Sequence, residues 1–226
     1  MLTPVKACST HSWGRPVAVI VLSLLFLASG NMGFGGSASA DLVLEGPRQI
    51  KYDVSDFTDA QGKHWIHVTA SFAAAYPRSV DQVVNTLWDF AGSPKVFSRL
   101  ESVKVRSNDG RTAVTEQRTA VRILGLAYIS DIVLLNELER SNPSSALVKF
   151  RLIGTDGSCL ATAGAWHVVQ RSDTARTVAD VEYDLDTIIE PRFPAQAAIM
   201  RGFGPGDMRH LLRELGDALA KRYGSP

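Results

Sequence analysis

Cysteine is almost missing from this chain of 226 residues: only Cys8 and Cys159 occur. Cys8 falls in a segment that reads as a cleaved export signal, so Cys159 is left alone and no intrachain disulfide is expected. Inside "GSCLATAGAW" the lone thiol reads as a small buried apolar residue rather than a nucleophile. A surplus of charge of one sign is lacking as well. Against 24 Lys and Arg stand 23 Asp and Glu, a formal charge of +1, and nucleic acid demands a concentrated basic face. No apolar run of the ~20 residues needed to span a membrane is present; "VAVIVLSLLFLA", residues 17–28, has twelve. Also absent are a Gly-rich phosphate loop, a Ser nucleophile elbow and a metal-binding His-Glu motif. Internal repeats and low-complexity tracts are missing too.

What is present at the N-terminus reads as an export signal over residues 1–40. Lys6 and Arg15 supply positive charge, no acidic residue precedes Asp41, and the twelve-residue apolar run lies between. Ala38-Ser39-Ala40 is a small-x-small cleavage sequence that would start the mature chain at Asp41. The long spacer before it leaves a cut after Gly30 as one alternative and an uncleaved anchor as another. No twin-Arg pair precedes the run and Asn31 follows "LASG", so the acylated-lipoprotein route is not indicated. The expected location is periplasmic or secreted. The remainder is long enough for one domain with its own core. It divides into an extension over 41–63, where alternating Ile50, Tyr52 and Val54 suggest a short extra strand, and a main domain over 64–223.

The main domain opens with a β-branched and aromatic strand, "HWIHVTASFAAAY", ended by Pro77. Ser79 and Gln82 then match a capping box. Val80, Val83, Val84, Leu87 and Trp88 follow on one helical stripe. Gly92 stops that helix, and Ser93-Pro94 restarts a second short one with Ser as its N-cap and Pro at the first helical position. From Glu101 the period changes to two, and six strands follow. The Asn108-Asp109-Gly110 and Asp156-Gly157 turns between them make hairpins, so the sheet should be antiparallel. Residues 195–223 return to helical spacing, with Met208, Leu211, Leu212, Leu215 and Leu219 on one face. Gly202, Gly204, Pro205 and Gly206 interrupt that pattern. Each Gly costs about 0.8–1 kcal/mol in a helix interior and Pro about 3, which predicts a break or hinge near Gly202; two readings of it stand, a gate formed by residues 195–203 and an inert kink.

Strand alternation separates the two faces of the sheet. Asp180, Glu182, Asp184 and Asp186 share one face, Val181, Tyr183, Leu185 and Thr187 the other. Lys149 and Arg151 point out where Val148, Phe150 and Leu152 point in. Glu116, Arg118 and Arg122 point out where Thr115, Gln117, Thr119 and Val121 point in. The inner face is therefore apolar with scattered hydroxyls and amides, which need partners: either a ligand or trapped water in a pocket, or one another within an ordinary core or near strand ends.

This order of elements resembles the helix-grip fold of the START-like superfamily, also called SRPBCC. Likeness is carried by "VDQVVNTLWDF" with "SPKVFSRLESVKV", by the "GTDG…GAW" stretch at 154–166, and by "IEPRFPAQAAIMRGF". It is closest to bacterial polyketide cyclase/dehydrase and coenzyme-Q-binding START-type proteins and covers residues 64–223. The resemblance implies an α+β fold: a curved antiparallel sheet of about seven strands, two short helices and a long C-terminal helix around an apolar cavity. It implies a bound hydrophobic small molecule, such as a lipid, quinone, sterol or polyketide, and transient membrane contact for ligand exchange. Candidate wall residues are Trp88, Phe97, Gln117, Thr119, Tyr128, Phe150, Trp166, Tyr183, Ile199, Met200 and Phe203.

No cofactor or metal is expected. His64 and His67 fall on opposite faces of one strand, and His210 with Glu214 reads as a surface pair. The alternative reading is a cyclase or dehydratase acting through polar cavity groups, with Tyr183, His167 and Tyr128 as its candidates. None has an adjacent base as a sign of activation. No nucleic-acid partner is expected, and the sequence does not set the oligomeric state.

Overall fold

The computed structural model describes residues 45–123, 126–172 and 177–224. The export segment, its cleavage site and Cys8 lie outside the described residues. In chain order the elements are β1 (Glu45–Thr58), β2 (His64–Tyr76), α1 (Val80–Leu87), a single 3₁₀ turn (Ser93–Lys95), β3 (Leu100–Asn108), β4 (Thr112–Ile123), β5 (Leu126–Asn142), β6 (Ser145–Thr155), β7 (Cys159–Gln170), β8 (Ala179–Ile189) and α2 (Gln196–Tyr223). The strands form one antiparallel sheet in the order β1-β2-β8-β7-β6-β5-β4-β3. This α+β arrangement is the expected one with three differences.

The first concerns β1, a full strand of 14 residues rather than a short addition. It pairs with β2 along most of its length, Glu45 opposite Ala75 and Thr58 opposite His64, so the sheet has eight strands where about seven were expected. Secondly, the segment after Gly92 is one 3₁₀ turn, not a helix. Its N-cap is Gly92, and the Ser93 hydroxyl donates back to the Asp89 carbonyl instead of capping forward. The capping box of α1 is present as read: Ser79 Oγ accepts from the Gln82 amide, and Gln82 Oε1 accepts from the Ser79 amide.

The third difference is in α2, which runs 28 residues without a break through Gly202, Gly204, Pro205 and Gly206. Tertiary contacts outweigh the poor local propensity there. Tyr52 on β1 donates its hydroxyl to the Met200 carbonyl at 3.0 Å. The Arg201 guanidinium donates to the Val54 carbonyl at 2.9 Å and to Asp56 at 3.0 Å. Further along, the buried Tyr76 hydroxyl donates to the Leu212 carbonyl at 2.7 Å. Met208, Leu211, Leu212, Leu215 and Leu219 enter the main core beside Phe72, Val83, Val168 and Val181. The strain collects instead at the helix entrance, where Ala195 adopts φ 61° with no side-chain cap, a left-handed backbone that costs an L-residue about 1–2 kcal/mol.

Gly204 has a specific role in this docking. A Cβ built on it would lie 1.7 Å from the Tyr52 hydroxyl oxygen and 2.4 Å from the ring carbon that carries it. Gly204→Ala must push α2 off β1, and a loss of about 1–3 kcal/mol is expected from overpacking. Chemical denaturation of Gly204→Ala beside Gly206→Ala, where nothing lies within 4 Å of the added methyl, measures it; the second change should be neutral or mildly stabilising.

Candidate functional site

The concave face of the sheet, α1, the 3₁₀ turn and α2 enclose a cavity of about 270 Å³. Natively packed cores hold few voids larger than one water, whose share of liquid volume is only ~30 Å³, so this space is not a packing defect. All eight strands contribute to the wall. Val148 and Phe150 come from β6, Trp166 from β7, Tyr183, Leu185 and Thr187 from β8, Gln117 and Thr119 from β4.

An aromatic row crosses this wall. Trp166 and Tyr183 sit directly opposite each other in the β7–β8 register, their ring centroids 4.3 Å apart. Phe97, just past the 3₁₀ turn, stacks on Trp166 at 6.1 Å, and Phe150 stacks on Tyr183 at 6.2 Å. Gly164, opposite Phe150 on β7, makes room for that ring: a Cβ there would meet Phe150 Cζ at 2.4 Å and the Asp184 carbonyl at 2.2 Å. The absent side chain is therefore part of the site.

The polar groups on this wall mostly bond to one another. Tyr128 donates to the Ser158 carbonyl at 2.5 Å, and the Ser130 and Ser158 hydroxyls are 2.6 Å apart. Thr119 donates to the Ser130 carbonyl. Gln117 and Asn136 both donate to the Thr115 hydroxyl, at 3.0 and 3.1 Å. Thr162 donates to Thr187, which donates to the Ala161 carbonyl. Of the two readings of these inward groups, bonding within the protein holds for all of those named, and the wall they leave is effectively apolar. Cys159 is free and buried at the same end, and burial pushes its thiol up, away from the reactive thiolate form.

Of the residues expected at the wall, Phe97, Gln117, Thr119, Tyr128, Phe150, Trp166, Tyr183, Ile199 and Met200 are brought together around the cavity. Trp88 is not. It follows the last residue of α1, where the chain turns away; its ring packs on Phe90 and its indole N–H donates to Asn108 on β3. Leu87 and Phe90 line the cavity from that segment instead. Phe203 is 48 % exposed, because α2 turns Gly204 and not its neighbour toward the sheet. His167 alternates with inward Trp166, so it projects from the outer face and pairs with Asp184 at 3.1 Å. It stands away from both Tyr128 and Tyr183, and the catalytic trio of the alternative reading is not assembled.

Sequence reasoning missed Tyr52, Arg99 and Asp207. Arg99 Nη2 donates to Asp207 Oδ2 at 2.5 Å, bridging the chain before β3 to α2 over the cavity. The two residues are 108 positions apart, and no local pattern announces such a pair. Burial is the main cause that pushes the Tyr52, Tyr128 and Tyr183 phenols up to about 12; Asp207 adds to it at Tyr52 and Tyr183, and Arg99 opposes it.

The eight-stranded sheet, the long C-terminal helix and the cavity between them make a START-like helix-grip fold. Solved structures share this fold. The Zhui aromatase/cyclase from Streptomyces sp. R1128 aligns with a TM-score of 0.52 at 16% identity, over 71% of this chain and 99% of that one. A STAR-related lipid transfer protein from Xanthomonas axonopodis aligns with a TM-score of 0.50 at 16% identity, over 74% of this chain and 98% of that one. No family model matches the sequence, and no curated protein does.

The raised phenols give a pH dependence of known sign. Between pH 10 and about 12 the folded chain holds protons that the unfolded chain, with tyrosines at 10.0, has released. Stability should therefore be intact below pH 10 and fall as pH rises through that window. Denaturant titrations at stepped alkaline pH, with phenolate absorbance in parallel, should show the late tyrosines ionising together with unfolding. Tyr183→Phe should shallow the alkaline loss.

Proposed function

We propose that this protein binds a hydrophobic small molecule in the cavity between its sheet and α2. The observation that carries this reading is a wall of aromatic and aliphatic side chains whose polar groups, the Tyr183 hydroxyl apart, are already bonded to protein. A ligand burying about 400 Å² of apolar area there gains roughly 10 kcal/mol gross at ~25 cal/mol/Å². Immobilising it takes back a large share, and micromolar or tighter affinity still follows. Lipid, quinone, sterol and polyketide-like compounds all fit this description. The neighbours support the reading, one being a STAR-related lipid transfer protein and the other an aromatase/cyclase.

The binding acts outside the cytoplasm in this proposal, after export and cleavage behind Ala40, with brief membrane contact during ligand exchange. A cyclase or dehydratase is the second reading, favoured by the Tyr183 hydroxyl inside the cavity. Against it, that phenol is pushed up to about 12 and stays protonated at neutral pH, which makes it a donor and not a base.

Native mass spectrometry of the protein purified from its own cell envelope tests the main reading. An apolar molecule should co-purify and be released by organic extraction. Absence of any such adduct, together with no uptake from a panel of lipids, sterols and quinones, would sink it. N-terminal sequencing of the same material should begin at Asp41.

A further inference from the structure

Arg99 and Asp207 are the charged residues among those lining the cavity, and each is the other's partner. Their side chains are 17 and 30 % exposed. In such surroundings a paired charge is held more strongly than in water, and an additional unpaired one is costly. The hydroxyls and amides of the wall are engaged with one another, with one exception. Tyr183 is 7 % exposed, and among the described residues its hydroxyl has no hydrogen-bond partner. It stands where both Arg99 and Asp207 act on it electrostatically. The cavity thus holds, in one lining, a free phenolic donor and a guanidinium whose charge is already balanced.

The geometry points to selection of neutral amphiphiles: molecules with an apolar body and one hydroxyl or carbonyl oxygen, which the Tyr183 hydroxyl and the remaining N–H groups of Arg99 receive, while carboxylate- and phosphate-headed lipids of the same tail are refused. This rests on the ligand-binding reading above. A carboxylate entering the cavity gives up its hydration and finds no unpaired cation, and it meets the Asp207 carboxylate at close range. A hydroxyl or carbonyl loses far less on leaving water, and one good partner repays it. The guanidinium has five N–H donors in a rigid fork, so it can hold Asp207 and still donate to a neutral oxygen.

Displacement of an environment-sensitive fluorescent probe by tetradecanol, tetradecanoic acid and tetradecane at neutral pH tests the inference. The alcohol should bind at least about tenfold more tightly than the acid. Asp207→Asn releases the Arg99 charge and should raise affinity for the acid until the preference is lost or reversed. Tyr183→Phe should weaken the alcohol about fivefold more than the alkane. Should Asp207→Asn fail to fold by circular dichroism, Tyr183→Phe decides alone, since it keeps the ring; an equal effect on alcohol and alkane then overturns the proposal. Acid binding as tight as alcohol binding in the unaltered protein overturns it too and leaves hydrophobic-ligand binding standing. Failure of the probe and all three compounds to bind overturns both.

Discussion

Strand β2 pairs with β8 from Ile66 opposite Ile189 to Tyr76 opposite Ala179, and the rest of the structure depends on that pairing. A β1–β2 hairpin alone would be marginal in water. Joined to the last strand of the meander, it completes a sheet whose concave side must be covered. The same pairing sets Phe72 opposite Tyr183, and β1 then places Tyr52 against Phe72, ring centroids 6.3 Å apart. Tyr52 and Tyr76 each donate to a carbonyl of α2, at Met200 and Leu212. Those carbonyls are about 18 Å apart along a helix rising ~1.5 Å per residue. Two fixed points at that distance hold the helix over the sheet, and the cavity is the space that the sheet's curvature leaves beneath it.

Charge is sorted by the sheet itself. On the outer face Arg118 meets Glu101 and Asp131, and Lys149 meets Glu139, exposed pairs of little energetic consequence. On the inner face, hydroxyls from adjacent strands come within bonding distance because antiparallel neighbours present their side chains in register. Thr162 with Thr187 is such a pair, while Ser130 on β5 meets Ser158 in the turn before β7. A wall written with many polar residues thus behaves as an apolar one, while the Arg99–Asp207 pair contributes strong local dipoles and almost no net charge.

Much of the fold was legible in the sequence. The capping box at Ser79, the turns at Gly110 and Gly157, and the alternation along β4, β6 and β8 each have a local physical cause, and each appears where read. The leucine face of α2 from Met208 onward was equally plain. Local propensity misled at Gly202–Gly206, because the contacts that hold that turn come from Tyr52, Val54 and Asp56, about 150 residues earlier. It misled again at Ser93, whose hydroxyl found the Asp89 carbonyl nearer than a helix N–H. For the site, alternation turned Phe150 and Tyr183 inward and the family resemblance added Phe97 and Trp166, but neither set the limits of the row: Trp88 and Phe203 carry the right chemistry on backbone that faces elsewhere.

The sequence by itself determined which side chains could face inward, since alternation along a strand and spacing along a helix are properties of the chain's own geometry. It determined the antiparallel class through its turns and the general chemistry of the inner face. Tertiary structure alone decided that inward hydroxyls would satisfy one another, that Arg99 would meet Asp207, and that Tyr183 would keep a free hydroxyl among aromatic neighbours. It also decided that Gly204 would accept a tyrosine and Gly164 a phenylalanine ring. These outcomes depend on distances between residues far apart in the chain, and such distances exist only once β2 has found β8 and the helix has been drawn across the sheet.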